Sequence, residues 1–311
     1  MNEKLKSTWA LIDTSCLAHR ALYSLGKLES KEIETGMIFG FFEQLRNVIR
    51  DSRVWTNKVL LCFDSKKSYR SLAYPPYKRK RKENKTDDEI KQREIMDKQI
   101  GILAKKYLPK IGFRMFRQAG LEADDIMAKI ALKFRGKDNV RAVIITADTD
   151  LCQCITENVY WYDIARDNYL TPLTFQDKKG CKPNAYAMVK AIAGCVTDNV
   201  EGVKGVGEKT AIEFLDGNLP INFKRYLAII SESGNAIMKR NIPLVKLPHE
   251  KTKPIKLKKP VYNVNAFFEM CEELEMYSYL EGKRKKEWEN IFNGVFKTQA
   301  PQRKFKWRKR R

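Results

Sequence analysis

Short apolar segments that end in an aspartate recur along this sequence, with segments of helical pattern between them. They are TWALID at 8–13, KVLLCFD at 58–64 and RAVIITAD at 141–148, which end in Asp13, Asp64 and Asp148. Apolar runs of this length predict strands that are buried on both faces, and alternation with helices predicts parallel pairing. We therefore expect an α/β fold with a central, mainly parallel sheet flanked by helices.

The remaining segments extend this pattern. Amphipathic spacing predicts a helix over 36–52, a longer one over 87–107 and a third over 121–134. Apolar residues predict further strands at 113–116 and 159–163. The order of the strands in the sheet does not follow from this pattern.

Acidic residues concentrate where the strands end. Ligands of open α/β sheets bind outside the carboxyl ends of the strands, so the carboxylates there should converge. Clustered carboxylates repel one another and require a cation, and their hard oxygens suit Mg²⁺ or Mn²⁺. For an acid at a helix start, such as Asp125, an interaction with the helix dipole remains an alternative. The acids concerned are Asp13, Asp64, Glu122, Asp124, Asp125, Asp148 and Asp150.

The overall charge limits the classes of partner. With 60 Lys and Arg against 38 Asp and Glu, the net charge is +22, which favours nucleic acid first and an anionic membrane surface second. No apolar run is long enough to span a membrane and no signal peptide is recognisable, so we expect a cytoplasmic protein. The seven Cys show no CxxC spacing, and the two His, His19 and His249, are interpreted as incidental, which disfavours disulfides and a zinc hydrolase.

A basic stretch follows directly after Asp64. Residues 66–85 hold nine cations and one acid, interleaved with Tyr69, Tyr74 and Tyr77. One interpretation is a solvated face. The other is a phosphate-facing element over the acids, with the rings stacking on unpaired bases.

A glycine-rich turn lies in the second half, in NVEGVKGVGEKTAIEFL at 199–215. Gly202, Gly205 and Gly207 allow close backbone approach, and Lys209 and Thr210 fall in the first turn of the following helix. With the apolar helix at 185–194 before it, this pattern predicts a helix–hairpin–helix that holds a phosphate, although an ordinary turn remains open. The last ten residues, QRKFKWRKRR, hold seven cations and predict a mobile tail.

Jointly these motifs resemble one family. The segments LIDTS, CFD, YRSLAYPPYKRKR, LEADDIMA, ITADTDLCQ, TDNVEGVKGVGEKTA and EELEMYSYL occur in the order found in divalent-metal-dependent 5′ nucleases. This is the flap endonuclease/5′→3′ exonuclease family, which includes phage RNase H-like enzymes and the 5′-nuclease domains of bacterial polymerases I. The resemblance runs from about residue 8 to 281, and the length of the chain is more phage-like than cellular.

The resemblance implies roles for individual residues. Asp13, Asp64, Glu122 and Asp124 match the ligands of the first metal, with Asp125 next to them. Asp148 and Asp150 match the pair between the metals and at the second one. In GCVTDN the second-site acid Asp198 is retained, but Cys195 stands where the family usually has an aspartate, and a thiol is a poor ligand for Mg²⁺.

The resemblance also implies which residues meet the substrate. Lys78 and Arg81 match cations that act over the active site. Residues that would contact DNA are Arg70, Lys80, Gly202, Gly205, Gly207, Lys209 and Thr210.

The implied domains are a nuclease domain at 1–180 with a basic arch at about 66–107, a helical DNA-binding subdomain at 181–282, and a basic tail at 283–311. The implied function is a structure-selective 5′ nuclease that cuts DNA or RNA–DNA by a two-metal mechanism in replication or primer removal. Its cofactors would be two Mg²⁺ ions, replaceable by Mn²⁺, with K⁺ at the hairpin. We expect a monomer without a membrane partner, whose tail contacts replication proteins. The alternatives are a non-catalytic branched-DNA-binding protein of the same fold and an RNA-cutting enzyme of the PIN type.

Overall fold

A six-stranded sheet runs through the centre of the protein, in the order β5–β4–β1–β6–β7–β8. The computed structural model describes residues 7–25, 29–30, 33–83 and 85–295. All pairs in the sheet are parallel except β7 with β8, and Ala10 on β1 lies opposite Val59 on one side and Val143 on the other. The strands of this sheet are β1 Ser7–Asp13, β4 Val59–Cys62, β5 Arg114–Phe116, β6 Val140–Ile145, β7 Val159–Asp163 and β8 Asn168–Leu170. Two small hairpins lie outside it, β2 Glu29–Ser30 with β3 Ile33–Glu34, and β9 Gly194–Cys195 with β10 Val200–Glu201.

Helices connect the strands and cover both faces of the sheet. In the first part of the chain they are α1 Thr14–Leu25, α2 Gly36–Arg50, α3 Tyr69–Ala73, α4 Lys80–Glu83, α5 Asp87–Ile102, α6 Leu108–Ile111 and α7 Ala123–Ala131. In the second part they are α8 Pro172–Lys179, α9 Tyr186–Ala193, α10 Glu208–Leu215, α11 Lys224–Ile230, α12 Glu232–Val245, α13 Val264–Glu273 and α14 Gly282–Phe292. The long helix that the sequence predicts over 87–107 is α5, continued by a π-helical stretch, Leu103–Tyr107.

Alternate side chains of the central strands enter two separate cores. On one face, Ile12 packs with aromatic residues of α2, α13 and α14, including Phe42, Phe267 and Trp288. On the other face, Leu11 packs with α7, α9 and α10. The predicted α/β architecture is confirmed, and the antiparallel edge strand β8 is an addition that the apolar pattern did not indicate.

The C-terminal helices return to the first core. Trp288 and Phe292 of α14 are buried, and Arg50 forms an ion pair of 2.8 Å with Glu287. The predicted tail at 283–311 therefore begins with a folded helix, because an apolar face with Trp288 and Phe292 outweighs the basic residues beside it. Most of the cations predicted to form the tail fall in 296–311, outside the described residues.

Helices of the described residues are all too short or too polar to cross a membrane.

Candidate active site

The carboxylate of Asp13 stands at the end of the central strand β1. Thr146 Oγ donates to its Oδ2 at 3.0 Å, and the backbone N–H of Cys16 donates to its Oδ1 at 3.1 Å. Burial, together with the neighbouring charge of Asp64, raises the pKa of Asp13 to about 7. Without a cation nearby, this carboxyl would therefore be partly protonated near neutral pH.

Asp64, two residues after β4, connects the strand end to helix α7. Ser15 Oγ donates to its Oδ2 and the backbone N–H of Ala123 to its Oδ1, both at 2.9 Å. In the first turn of α7, burial raises the pKa of Asp124 well above its ordinary value, and the charges of Asp148 and Asp13 add to this. One edge of the sheet thus brings together acids from the ends of three neighbouring strands and from the start of helix α7.

Asp148 and Asp150 are placed by a tight turn after β6. The N–H of Asp150 donates to Asp148 Oδ1 at 2.8 Å, and the N–H of Asp148 donates to Thr146 Oγ at 3.1 Å. Burial and the charge of Asp150 raise the pKa of Asp148. The carboxylate of Asp150 accepts a hydrogen bond from the ammonium of Lys190, which comes from α9.

A second group of donors lies beside the first. Within the described part of the chain, Asp150, Cys195 and Asp198 form the one group of His, Cys, Asp and Glu residues whose ligand atoms all lie within 4.8 Å of one another. The Cys195 thiol is 3.2 Å from Thr197 Oγ, and burial raises its pKa. Cys195, at which the sequence departs from the family pattern, therefore lies in this second group of donors.

Lys78 lies above these acids in a strained backbone conformation. Its φ is +56°, its N–H donates to the carbonyl of Asp198 at 2.9 Å, and its Nζ contacts Glu122 Oε2 at 3.0 Å. Burial lowers the pKa of Lys78, but the combined effects of Glu122, Tyr77, Asp198 and Asp124 outweigh burial and raise the pKa. The hydroxyl of Tyr77 donates to the same Oε2 at 3.1 Å. Tyr77 is buried, so the prediction that its ring stacks on bases is wrong.

Arg81 fixes the base of the arch to the turn between β9 and β10. Its Nε donates to the Thr197 carbonyl at 3.0 Å, and its NH2 contacts Asp198 Oδ1 at 2.5 Å. The N–H of Lys80 donates to Asn199 Oδ1 at 3.1 Å, while the Lys80 side chain is exposed. Arg81 remains half exposed, so its guanidinium is accessible from the cleft.

Asp125 and Arg70 are placed away from the cleft, in contact with each other. The Arg70 guanidinium donates to both carboxylate oxygens of Asp125 at 2.7 Å, and Asp125 is fully buried. The backbone N–H groups of His249 and Glu122 also donate to this carboxylate, at 2.7 and 3.2 Å. Each Asp125 oxygen already accepts two hydrogen bonds and Arg70 is 2% exposed, so the predicted metal contact of Asp125 and the predicted DNA contact of Arg70 are wrong.

The glycine hairpin divides into packed and open positions. A Cβ on Gly202 would lie 2.2 Å from the backbone of Ala193, so this glycine is needed for packing against the end of α9. Gly205 has a φ of +76° with open space around it, and Gly207 is also open, at the start of α10. Lys209 is exposed beside them.

Thr210 does not belong to this open surface. It is buried, and Arg225 NH1 lies 3.5 Å from its Oγ. The prediction that Thr210 contacts DNA is therefore wrong for its side chain, because that side chain is buried beside Arg225.

The sequence did not indicate three further residues that contact the acids. Ser15 and Thr146 donate hydroxyl hydrogen bonds to Asp64 and Asp13, and small hydroxyl residues are too common for such a role to be visible in a sequence. Lys190 carried a weak signal, as the single charged residue in the apolar stretch AYAMVKAIAG.

The donor set fits hard divalent cations at the first group and a mixed site at the second. Asp13, Asp64, Asp124 and Asp148 offer carboxylate oxygens. Burial first and mutual repulsion second raise the pKa values of Asp13, Asp124 and Asp148, as expected of a site built around cations. The second group offers two carboxylates and a thiol, with Lys190 and Arg81 already in contact with the carboxylates.

Comparisons with known proteins agree with this geometry. Residues 8–180 match the family model described as "5′-3′ exonuclease, N-terminal resolvase-like domain". The 5′-3′ exonuclease of Aquifex aeolicus is 30% identical over 286 residues, which cover 88% of this chain and 94% of that protein. DNA polymerase I of Mycobacterium bovis is 30% identical over 221 residues, 68% of this chain but 23% of the polymerase.

Solved structures extend the likeness over the whole fold. The T5 5′-exonuclease with bound divalent metal ions (zinc) has a TM-score of 0.64 at 19% identity, covering 93% of this chain and 99% of that chain. The extent of the family match, together with the 30% identity across nearly the full length of a relative, shows that this chain belongs to the 5′–3′ exonuclease family of nucleases.

Proposed function

We propose that this protein is a structure-selective 5′ nuclease that hydrolyses phosphodiester bonds of DNA or of RNA–DNA hybrids. The observation that carries the proposal is that buried carboxylates with raised pKa values converge at the carboxyl edge of the sheet. The cations Lys78 and Arg81 lie beside them. Perturbed carboxylates in a cleft are typical of functional sites. Membership of the nuclease family supports the same reaction.

We propose that the site uses two divalent ions, Mg²⁺ in the cell with Mn²⁺ as a substitute. Asp13, Asp64 and Asp124 would hold the first, Asp150 and Asp198 the second, and Asp148 lies between the two sets. Bound ions would neutralise charge on the scissile phosphate and make a water molecule a stronger nucleophile. Glu122 is held by Tyr77 and Lys78, so we assign it to positioning Lys78 rather than to direct metal contact.

Lys78 and Arg81 would act on the substrate phosphate. Both lie over the acids, and each is held by a carboxylate, Glu122 for Lys78 and Asp198 for Arg81. A phosphate that enters the cleft can replace these partners, because it offers several charged oxygens in one place. The strained backbone of Lys78 supports a positioning role, since strain of this kind concentrates at functional sites.

The open part of the hairpin would anchor the duplex. Gly205, Gly207 and the N-terminus of α10 present backbone N–H groups, and the exposed Lys209 adds a charge suited to a phosphate. Two related structures, those of a T5 flap endonuclease and of the catalytic core of Rad2, are complexes with DNA. Anchoring at a fixed distance from the acids would select the phosphate that is cut. The K⁺ ion at the hairpin stays a prediction.

We propose that the protein acts in replication, where it removes primers or 5′ flaps. The similarity to a segment of DNA polymerase I supports it, because a nuclease that works beside a polymerase meets 5′ ends displaced by synthesis. The basic arch at about 66–107 would favour the single-stranded 5′ side of such a junction.

Product mapping tests the proposal. End-labelled 5′-flap, nicked duplex and RNA–DNA hybrid substrates are incubated with Mg²⁺ and the protein, and the cut positions are read on a gel. We expect cleavage near the junction, and we expect Asp124→Asn to abolish it while DNA binding is kept or strengthened, because a negative charge is removed. Asp138→Asn, at an exposed acid away from the cleft, is the matched control and should cleave normally.

The same experiment also tests the alternative of a non-catalytic DNA-binding protein. Cys195 and Lys190 weaken the second group as a Mg²⁺ site, which favours a non-catalytic protein that binds branched DNA. Tight binding of the flap without cleavage in Mg²⁺ or Mn²⁺ would support that alternative and refute the nuclease proposal.

A further inference from the structure

Lys190 places a buried positive charge inside the second donor group. It lies in the last turn of α9 and is 6% exposed. Its ammonium donates to Asp150 Oδ1 and lies 5.2 Å from the centre of the Tyr186 ring. A buried ammonium requires such partners, since desolvation without them costs several kcal/mol.

The Lys190 ammonium contacts a donor group that could hold a divalent ion, because its partner Asp150 belongs to that group. The Cys195 thiol is close enough for the Lys190 charge to lower its pKa against the effect of burial. Asp198, the remaining donor of the group, contacts Arg81. The two carboxylates are thus neutralised by two side-chain cations.

These two cations differ in their freedom to move. Arg81 is half exposed and can turn towards a phosphate in the cleft. Lys190 is enclosed by α9, Tyr186 and Asp150, so its charge stays at the site. A divalent ion that approached Asp150 would meet this fixed positive charge.

We propose that Lys190 is the resident cation of the second metal site. Its ammonium holds Asp150 in the position that a divalent ion would otherwise stabilise. A divalent ion that binds there must therefore overcome repulsion from the Lys190 ammonium. The inference rests on the proposed function, because it concerns the metal sites of the nuclease. It assigns Lys190 as a positioning residue and predicts two metal sites of very unequal affinity.

Direct binding of Mn²⁺ tests this assignment without relying on activity. Free Mn²⁺ is measured by electron paramagnetic resonance during titration of the metal-free protein. The parent should bind one ion tightly and a second weakly. In Lys190→Met, which keeps the length and apolar stem of the side chain, the second ion should bind at least about tenfold more tightly, because one unit charge a few ångströms away is removed.

Two variants serve as controls. Lys190→Arg keeps the charge and should behave as the parent. Lys179→Met removes another lysine that contacts the Tyr186 ring, at 5.2 Å, but that pairs with Glu208 instead of Asp150. It should leave both Mn²⁺ affinities unchanged.

Thermal unfolding gives a second measurement. Without metal, Lys190→Met leaves Asp150 unpaired, so Mn²⁺ should raise its unfolding temperature more than it raises that of the parent. Lys190→Gln, also neutral, is studied in parallel. If Lys190→Met does not fold, Lys190→Gln shows whether loss of the charge strengthens Mn²⁺ binding.

The outcomes separate the two proposals. Identical Mn²⁺ curves for the parent and the neutral variants, with both ions bound, would overturn the role of Lys190 and leave the nuclease proposal standing. Absence of Mn²⁺ binding in every variant and in the parent would overturn both.

Discussion

Removal of the Arg70 guanidinium should destabilise the protein rather than disable its site. In Arg70→Met the buried carboxylate of Asp125 loses both 2.7 Å hydrogen bonds from its cationic partner. Breaking a buried ion pair by removing one partner costs about 3–5 kcal/mol of unfolding free energy. Because the N–H groups of His249 and Glu122 still donate to Asp125, we expect about 3 kcal/mol.

Urea unfolding monitored by circular dichroism measures this loss. For a chain of 311 residues, a loss of about 3 kcal/mol corresponds to a fall of about 5 °C in Tm. Replacement of both partners, in Arg70→Met with Asp125→Leu, should recover only part of the stability. No buried charge is then left unpaired, but the N–H groups of His249 and Glu122 lose their acceptor. The control is Lys80→Met at an exposed arch cation, which should change stability by less than about 0.5 kcal/mol.

DNA binding by the same variants completes the test. We expect Arg70→Met to bind flap DNA as the parent does at a temperature where it is folded. If it lost affinity for DNA with its stability unchanged, Arg70 would contact the substrate and the structural role of the Arg70–Asp125 pair would be refuted.

Three further changes address the site itself. Lys78→Met should lower the single-turnover cleavage rate about 10²-fold at saturating DNA, because a preorganised charge over the acids is lost, and an unchanged rate would refute this. In EDTA, the free energy of unfolding should fall as the pH rises from about 4 to about 7, because native Asp13, with a pKa of about 7 against 3.8, binds protons that the unfolded chain has released. Excess Mg²⁺ should weaken that trend, and urea midpoints at pH 5 and pH 8 would show whether it does. Cys195→Asp should lower the Mg²⁺ concentration for half-maximal cleavage severalfold, because a hard oxygen replaces a thiol within 4.8 Å of the other ligands, and an equal or higher requirement would contradict this.

The sequence predicted the edge of the sheet at which the site lies. Asp13 ends strand β1 and Asp148 lies three residues after strand β6, and parallel pairing brings the carboxyl ends of such strands together. This prediction depends on local properties, namely the apolar run, its length and the residue that ends it. The motif order added the family, which the family model and the relatives confirmed.

Which acids remain available for metal was decided by the tertiary structure. Asp124 and Asp125 are adjacent in the sequence, but consecutive residues of a helix point about 100° apart. One therefore faces Asp148 and the cleft, and the other meets Arg70 in the interior. The contact between Lys190 and Asp150 likewise joins α9 to the turn after β6. Charge compensation of this kind depends on which elements pack together, and no local pattern in the sequence contains that information.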